Sequence, residues 1–564
     1  MYTAMSAHRS GAEVTLYAPR PVPMPAELLA VNDSLTWLGP AIAQADLAHF
    51  EIHYDDGRAI YVQAQFGTED SLSTDELPLD LSDFACVHII PLGDIRHQLK
   101  ILRICRERGA RNISAGTALD LINAQPEVAN DVLCEADILF MNEEESIRLF
   151  GSMSTVHARP DQLIFVTQGK HGASVVQGRT ITALPPTPAT AIDPTGAGDT
   201  FCGATLVGIT GGRHPVVAAQ LAIPLAAEMI EHIGPAALLQ NTPPPPAPRD
   251  TRVQINAAQI QQVAALIQSS PDIAAFPFTG PDLPAAGHPA ALDFFFASTL
   301  QQFGFWSHAD GRYAGPLVAH LDGAERKGAF YLFRAYCRWL QKDPEMLAPA
   351  AQAKLNKADL LTVLRDDKGD DPVPAIDLHL ALARDYGRDM LALGHTPHTL
   401  LGKVNSAAEP MHALLAELDR IGGYKEDPLR KKAALLAIIL QQRPEAFLRA
   451  DRLDAPPIVD YHVMRSCLRI GLIDVLDAEL QARLEGRMLL SEADEWAVRR
   501  AAFAAVELLV ATSGKSMGAV DWFLFQARQR CPEMSDPVCA ECPVDPVCLH
   551  RKKLFQPVRR TSFY

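Results

Sequence analysis

The stretch Asp193-Pro194-Thr195-Gly196-Ala197-Gly198-Asp199-Thr200-Phe201 decides how the first half of the chain is read. Short apolar segments of β character precede it, and an Ala-rich, largely helical run over residues 202–227 follows. A glycine-rich turn that opens a helix points backbone N–H groups outward at the positive end of the helix dipole, which suits a phosphate. A carboxylate straight after the turn, at Asp199, lies beside the bound anion and can accept the proton of an attacking hydroxyl. An ordinary aspartate cap before a core helix requires neither both glycines nor both aspartates.

Outward from this stretch, residues 1–238 alternate strand and helix patterns. Strands are predicted over 13–17, 85–91, 112–115, 138–141 and 163–167, with a helix over 95–108. Such alternation predicts an α/β unit, a mostly parallel sheet covered by helices. Residues 50–66 read as a hairpin turning at Asp55-Asp56-Gly57, either a lid over a site or an edge extension of the sheet.

Three ordered motifs then carry a resemblance. Residues 193–201 resemble the signature of the ribokinase-type (PfkB) family of sugar and nucleoside kinases. Asn142-Glu143-Glu144-Glu145 resembles the family's Asn-x-x-Glu element, and residues 166–173 resemble its nucleotide-side strand and turn. On its own, the acidic run 143–145 reads as a solvated helix start. The resemblance implies ATP and Mg2+ as cofactors and Asp199 as the base that deprotonates the acceptor hydroxyl. It makes Gly196, Ala197 and Gly198 the amides that stabilise the transferring phosphoryl group. Asn142 and Glu145 would place the magnesium and its waters, while Thr167, Gly169 and Asp193 would belong to the nucleotide site. Members of the family open with a strand and a Gly-Gly motif before the first Ala-rich helix. Residues 2–7 already resemble that helix, so the domain reads as lacking its first strand.

The proline run over 241–248 reads as a semi-rigid spacer. It divides the chain into a kinase-like domain at 1–238, a linker at 239–252 and a second domain at 253–564. Helical periodicity dominates the second domain, for example over 253–267, 292–303, 331–340, 378–393, 411–421 and 497–511, which predicts an all-α fold. The aromatic cluster Phe294, Phe295, Phe296, Phe303, Phe305 and Trp306 reads as core before base-stacking platform. The polar loop over 306–313 beside it would nonetheless suit a flat heterocycle.

Residues 457–465 resemble the Val-Asp-x-His-Val-x-Arg element of helix-hairpin-helix DNA glycosylases of the endonuclease III type. An oxocarbenium-like transition state needs a fixed carboxylate nearby, and Asp460 is the candidate, with a plain helix N-cap as the alternative. Six of the ten cysteines are scattered, whereas Cys531, Cys539, Cys542 and Cys548 crowd into residues 531–548. Their spacing resembles the iron–sulfur loop of those glycosylases and implies a [4Fe-4S] cluster, with a four-Cys Zn2+ site as runner-up. Two features depart from that family. Residues 421–425 are a loose substitute for its DNA-gripping glycine hairpin, and no lysine falls cleanly in the lyase position, although Lys431 and Lys432 lie in the following helix. Residues 292–306, 427–440 and 460–463 also resemble queuosine salvage proteins, helical glycosylase relatives that act on a free nucleotide. A third relative is the set of glycosylase-like proteins proposed for thymine hypermodification in phage-type DNA.

Hydrophobic content of 48% and charge of 21% describe an ordinary soluble chain of 564 residues. A formal net charge of -16 argues against non-specific coating of nucleic acid, although the basic tail Arg551, Lys552, Lys553, Arg559 and Arg560 could meet phosphate. Residues 1–9 lack the apolar core of a signal peptide and no apolar run reaches bilayer length, so a cytoplasmic protein is expected. The combined expectation is a bifunctional enzyme that phosphorylates a small-molecule nucleoside or sugar and then cleaves an N-glycosidic bond. The alternative is a DNA-directed iron–sulfur glycosylase carrying an accessory kinase-like module.

Overall fold

Six strands of the N-terminal half lie side by side in the order Thr180–Leu184, Ala173–Gln177, Leu163–Thr167, Ile138–Asn142, Ile113–Gly116, Val87–Ile89. The last four run parallel, and the first two form an antiparallel extension at one edge. This is a computed structural model; it describes residues 1–55, 58–65, 67–240, 242–246, 250–270, 273–450 and 452–564. The chain divides into two units, Met1–Arg249 and Asp250–Tyr564.

The central strands are apolar at consecutive positions because both faces of the sheet are covered. Leu139, Met141, Ile164 and Val166 face the helices Ile95–Glu107 and Pro126–Glu135, whereas Ile138, Phe140 and Phe165 face Ala197–Thr210 and Pro215–Met229. That alternation is the two-residue period of a pleated strand. The run expected over 202–227 is thus two helices, parted at Gly211–His214. The helix Tyr2–Arg9 lies so tightly on Ala197–Thr210 that a Cβ at Gly203 would come within 2.2 Å of the Thr3 carbonyl oxygen. Thr15–Tyr17 pairs in parallel with Thr36–Leu38, outside the main sheet. The hairpin His49–Asp55 and Arg58–Gln65 forms a separate two-stranded sheet and does not extend the six-stranded one. Asp56 and Gly57 of its expected turn lie outside the described residues, as do 241 and 247–249 of the proline run.

The second unit is mainly helical, but the all-α expectation needs correction, because three antiparallel strand pairs are built into it. Trp306–Ala309 pairs with Arg312–Pro316 and Val318–Leu321 with Ala324–Lys327. Both turn on Asp-Gly dipeptides with positive φ, 50 and 70° at Asp310-Gly311 and 53 and 74° at Asp322-Gly323, the geometry that matches the twist of paired strands. The loop expected over 306–313 is therefore a hairpin. Val253–Ile255, expected to be helical, pairs with Ile473–Val475 before the helix Ala257–Gln268 begins. Phe294, Phe295, Phe296 and Phe303 are fully buried in the core, and Trp306 is packed between Tyr313 and the Arg560 guanidinium. Phe305 of the same cluster borders the cavity described below. Among the described residues no single helix is long and apolar enough to cross a membrane.

Arg499 and Asp427 lie fully buried at the centre of this unit. Two guanidinium N–H groups donate to the carboxylate at 2.8 and 2.7 Å, and the backbone N–H groups of Leu429 and Lys431 donate to it at 3.0 and 2.8 Å. Removing one partner strands the other charge away from water. Asp427→Ala is expected to lower the unfolding free energy by about 3–5 kcal/mol, read by chemical denaturation of the full chain; a loss below about 1 kcal/mol would contradict the arrangement.

Candidate active sites

Asp193 shapes the turn of the first unit. Its Oδ1 accepts from Thr195 N at 3.0 Å and its Oδ2 from Gly234 N at 2.9 Å. Burial works against the charge, but these hydrogen bonds hold the carboxyl below the usual aspartate range. Gly196 then takes φ +80°, and the ring of Tyr2 lies so close that a Cβ on Gly196 would be 2.4 Å from it. In the first helical turn Ala197 N donates to Pro194 O at 3.2 Å and Thr200 N to Gly196 O at 2.8 Å. Among the described residues the amides of Gly198 and Asp199 are the first-turn donors with no such backbone partner, and they lie at the positive end of a helix that runs to Thr210. Asp199 opens to solvent beside them. Crowding protein atoms on its inner side raise its carboxyl above the ordinary range, against the pull of the Met1 amino group and the Thr3 hydroxyl.

The parallel register sets Thr167 opposite Asn142 at the carboxyl ends of neighbouring strands, where open α/β sheets place their ligands. Thr167 Oγ1 lies 4.0 Å from where a Cβ of Gly198 would be, so the strand ends meet the glycine turn. Asn142 caps the helix Glu143–Phe150, accepting from Glu145 N at 2.9 Å while Glu145 accepts from Asn142 N at 2.9 Å. Glu145 also accepts from Thr117 Oγ1 at 2.7 Å and from Asn142 Nδ2 at 2.8 Å. Burial raises its carboxyl, those hydrogen bonds lower it, and the nearby charges of Asp199 and Glu144 raise it again. Gly169 takes φ +53° with open space around it. Thr117, Tyr2 and Thr3 were not legible as site residues, because nothing local marks them.

In the second unit Asp460 is both cap and cavity wall. Its Oδ1 accepts from Val463 N at 2.9 Å at the start of the helix Tyr461–Ile470, and the side chain borders a cavity of about 140 Å³. Lys431 borders the same cavity, its Nζ donating to Gln302 O at 2.9 Å. Burial lowers the Lys431 pKa, and the Asp460 and Asp427 carboxylates oppose that. Asp521, from the helix Met517–Arg530, completes the polar wall. The turn at 421–425, the loose substitute for a DNA-gripping glycine hairpin, is committed internally. Gly422 N donates to Asp389 at 2.8 Å and Gly423 N to Glu426 at 3.0 Å, and a Cβ on Gly422 would meet Asp385 at 2.5 Å. In the basic tail, Arg551 pairs with Asp474, Arg559 with Glu492, and Arg560 donates to the Gly304 and Trp306 carbonyls.

Two of the four clustered thiols receive donors: Arg469 Nη1 to Cys531 Sγ at 3.2 Å and His550 N to Cys548 Sγ at 3.4 Å. Such N–H···S contacts suit cluster-bound thiolates. Four thiolates on zinc would stand about 3.8 Å apart, given the ~2.3 Å Zn–S bond. Among the described residues, the three donors that close within 4.8 Å of one another are instead Cys539, Asp545 and His550.

Residues 97–242 match the family model described as pfkB family carbohydrate kinase. A cytidine kinase of Thermococcus kodakarensis is 25% identical over 240 residues, 41% of this chain and 86% of that protein. Among solved structures, a Burkholderia thailandensis nucleoside kinase in complex with inosine aligns over 44% of this chain and 81% of its own, at 20% identity and a TM-score of 0.36. An adenosine kinase from Sinorhizobium meliloti aligns over 42% and 77%, at 19% identity and a TM-score of 0.37. The family model and the cytidine kinase support a PfkB-type carbohydrate or nucleoside kinase in the N-terminal part, and ATP and Mg2+ are typical of such kinases. The family match ends at residue 242, before the second unit begins.

Gly196 and Gly169 separate two costs of adding a methyl group. Gly169→Ala meets only the left-handed backbone, about 1 kcal/mol. Gly196→Ala also collides with Tyr2 and is expected to cost a further 1–3 kcal/mol or so. Denaturation of both variants checks this; equal losses would contradict the Tyr2 packing.

Proposed function

We propose that the chain is a two-step nucleoside enzyme. The N-terminal unit transfers phosphate from ATP to a hydroxyl of a modified or unmodified nucleoside, and the C-terminal unit then breaks the N-glycosidic bond of the product. The observation that carries the first step is the unspent amide pair of Gly198 and Asp199 beside the solvent-facing Asp199 carboxylate. The phosphate oxygens accept from these amides together with Gly196, while Ala197 serves by shaping the turn. Asp199 takes the proton of the acceptor hydroxyl, and its raised affinity for that proton suits a base. Asn142 and Glu145 hold the side on which the cation belongs; Mg2+, when bound, offsets charge on the phosphate oxygens. Thr167 and Gly169 border the nucleotide, and Asp193 acts by fixing the turn.

For the second step Asp460 is the fixed carboxylate that stabilises positive charge on the sugar as the bond breaks. Its capping bond uses one oxygen and leaves the other for the cavity. Cys531, Cys539, Cys542 and Cys548 would hold a [4Fe-4S] cluster, which when bound ties residues 531–548 into one loop. What speaks against the DNA-directed alternative is that the amides of the 422–423 turn donate to Asp389 and Glu426.

Asp199→Asn is expected to slow nucleoside phosphorylation by about 10²–10⁴-fold and to stop release of free base with it. Asp460→Asn should instead accumulate the phosphorylated nucleoside. Chromatography of products from a nucleoside panel with ATP separates the cases, and wild-type base release by Asp199→Asn would refute the coupling. Anaerobically purified protein should contain iron and sulfide, lost in Cys539→Ser; stoichiometric zinc without sulfide would overturn the cluster assignment.

A further inference from the structure

We propose that Asp521 is a second catalytic carboxyl of the C-terminal unit, which gives its proton to the departing base of a nucleoside held against Gln302; this rests on the glycosidic-cleavage reading above. The cavity wall is rigid and apolar over much of its extent. Trp522 is stacked between Phe276 and Phe525, with ring centroids 4.5 and 5.0 Å apart and planes within 20°. Such a wall favours a flat, π-rich ligand.

Two buried donors in this wall are unmet. Gln302 is only 3% exposed, and among the described residues neither its Nε2 nor Arg528 Nε has a hydrogen-bond partner. Unpaired buried donors are costly in the empty site and become useful when a ligand brings acceptors. The carbonyl and ring-nitrogen edge of a nucleobase is such a ligand.

Asp521 faces the same space, and no protein donor among the described residues hydrogen-bonds its carboxyl. Loss of hydration raises its pKa, and the Asp460 carboxylate raises it further, while Lys431 and Arg528 oppose this; the group is pushed up to about 7. Lys327 and His462 also border the cavity, and burial together with nearby arginines holds His462 well below its ordinary pKa, hence neutral. Asp460, anchored by Val463 N, is the partner whose charge the cleavage step needs. Asp521, whose carboxyl burial drives toward the protonated form, and Asp460, anchored by a backbone N–H, divide into an acid and a charge stabiliser.

The step balances on these groups. The C1′–N bond breaks, its electron pair goes to the base nitrogen, and the base takes the Asp521 proton. Water adds its oxygen to C1′ and returns a proton to the Asp521 carboxylate, leaving free base and sugar phosphate.

A base that departs without needing a proton isolates the role. Release from adenosine, guanosine and inosine should be compared with release from N7-methylated purine nucleosides, in the full chain with ATP present. Asp521→Asn should slow the unmethylated substrates at least about 100-fold and the methylated ones less than about 3-fold. The wild-type rate on the unmethylated set should fall as pH rises through about 7, a limb absent for the methylated set. Asp460→Asn should slow both sets alike. Equal losses on the two sets in Asp521→Asn, or no loss on either, would overturn the acid role while leaving the cleavage reading intact. Wild-type protein that releases base from neither set refutes the cleavage reading, and the role of Asp521 falls with it.

Discussion

The buried pair Asp427–Arg499 sets the geometry on which the C-terminal cavity depends. Asp427 accepts from the Lys431 backbone N–H and so fixes the start of the helix that carries Lys431 into the cavity. Arg499 donates through Nε to Val459 O at 3.3 Å, one residue before Asp460, and its guanidinium lies 4.8 Å from the ring of Tyr564, another cavity residue. One fully hydrogen-bonded ion pair therefore relates three elements that are far apart in sequence. A buried pair is often no more stabilising than apolar residues of its size, so its worth here lies in placing groups.

The N-terminal unit solves a comparable problem with backbone. Consecutive apolar residues bury strands Ile138–Asn142 and Leu163–Thr167 on both faces, and their common register delivers Asn142 and Thr167 to one edge. The Asp193 hydrogen bonds and the positive φ of Gly196 then turn the chain so that the helix from Ala197 opens onto that edge. Structure and chemistry share residues here. Asn142 and Glu145 cap each other as any helix start does, and the same pairing holds two oxygen-bearing groups beside Asp199.

What could be read from the sequence follows how local the physics is. The glycine turn, the helix start at 143–145 and the strands expected at 138–141 and 163–167 depend on neighbours within a few residues, and they were legible. So was the N-cap at Asp460. The Asp-Gly hairpins at 310–311 and 322–323 carried a local signal that strong helical periodicity around them obscured. Gln302, Asp521 and Thr117 were not legible, since each gains its meaning from partners brought in by tertiary packing. The aromatic run at 294–306 shows the converse: Phe294, Phe295, Phe296 and Phe303 are core, and Phe305 joins Phe276, Trp522 and Phe525 in the cavity wall.

The central claim is that the two sites act in order on one molecule. Following the γ-phosphate of labelled ATP through a single turnover tests it most directly. The account predicts that label passes from ATP to an intact nucleoside phosphate and then to a base-free sugar phosphate. Label that stays on intact nucleoside phosphate, while free base comes from unphosphorylated nucleoside, would contradict it.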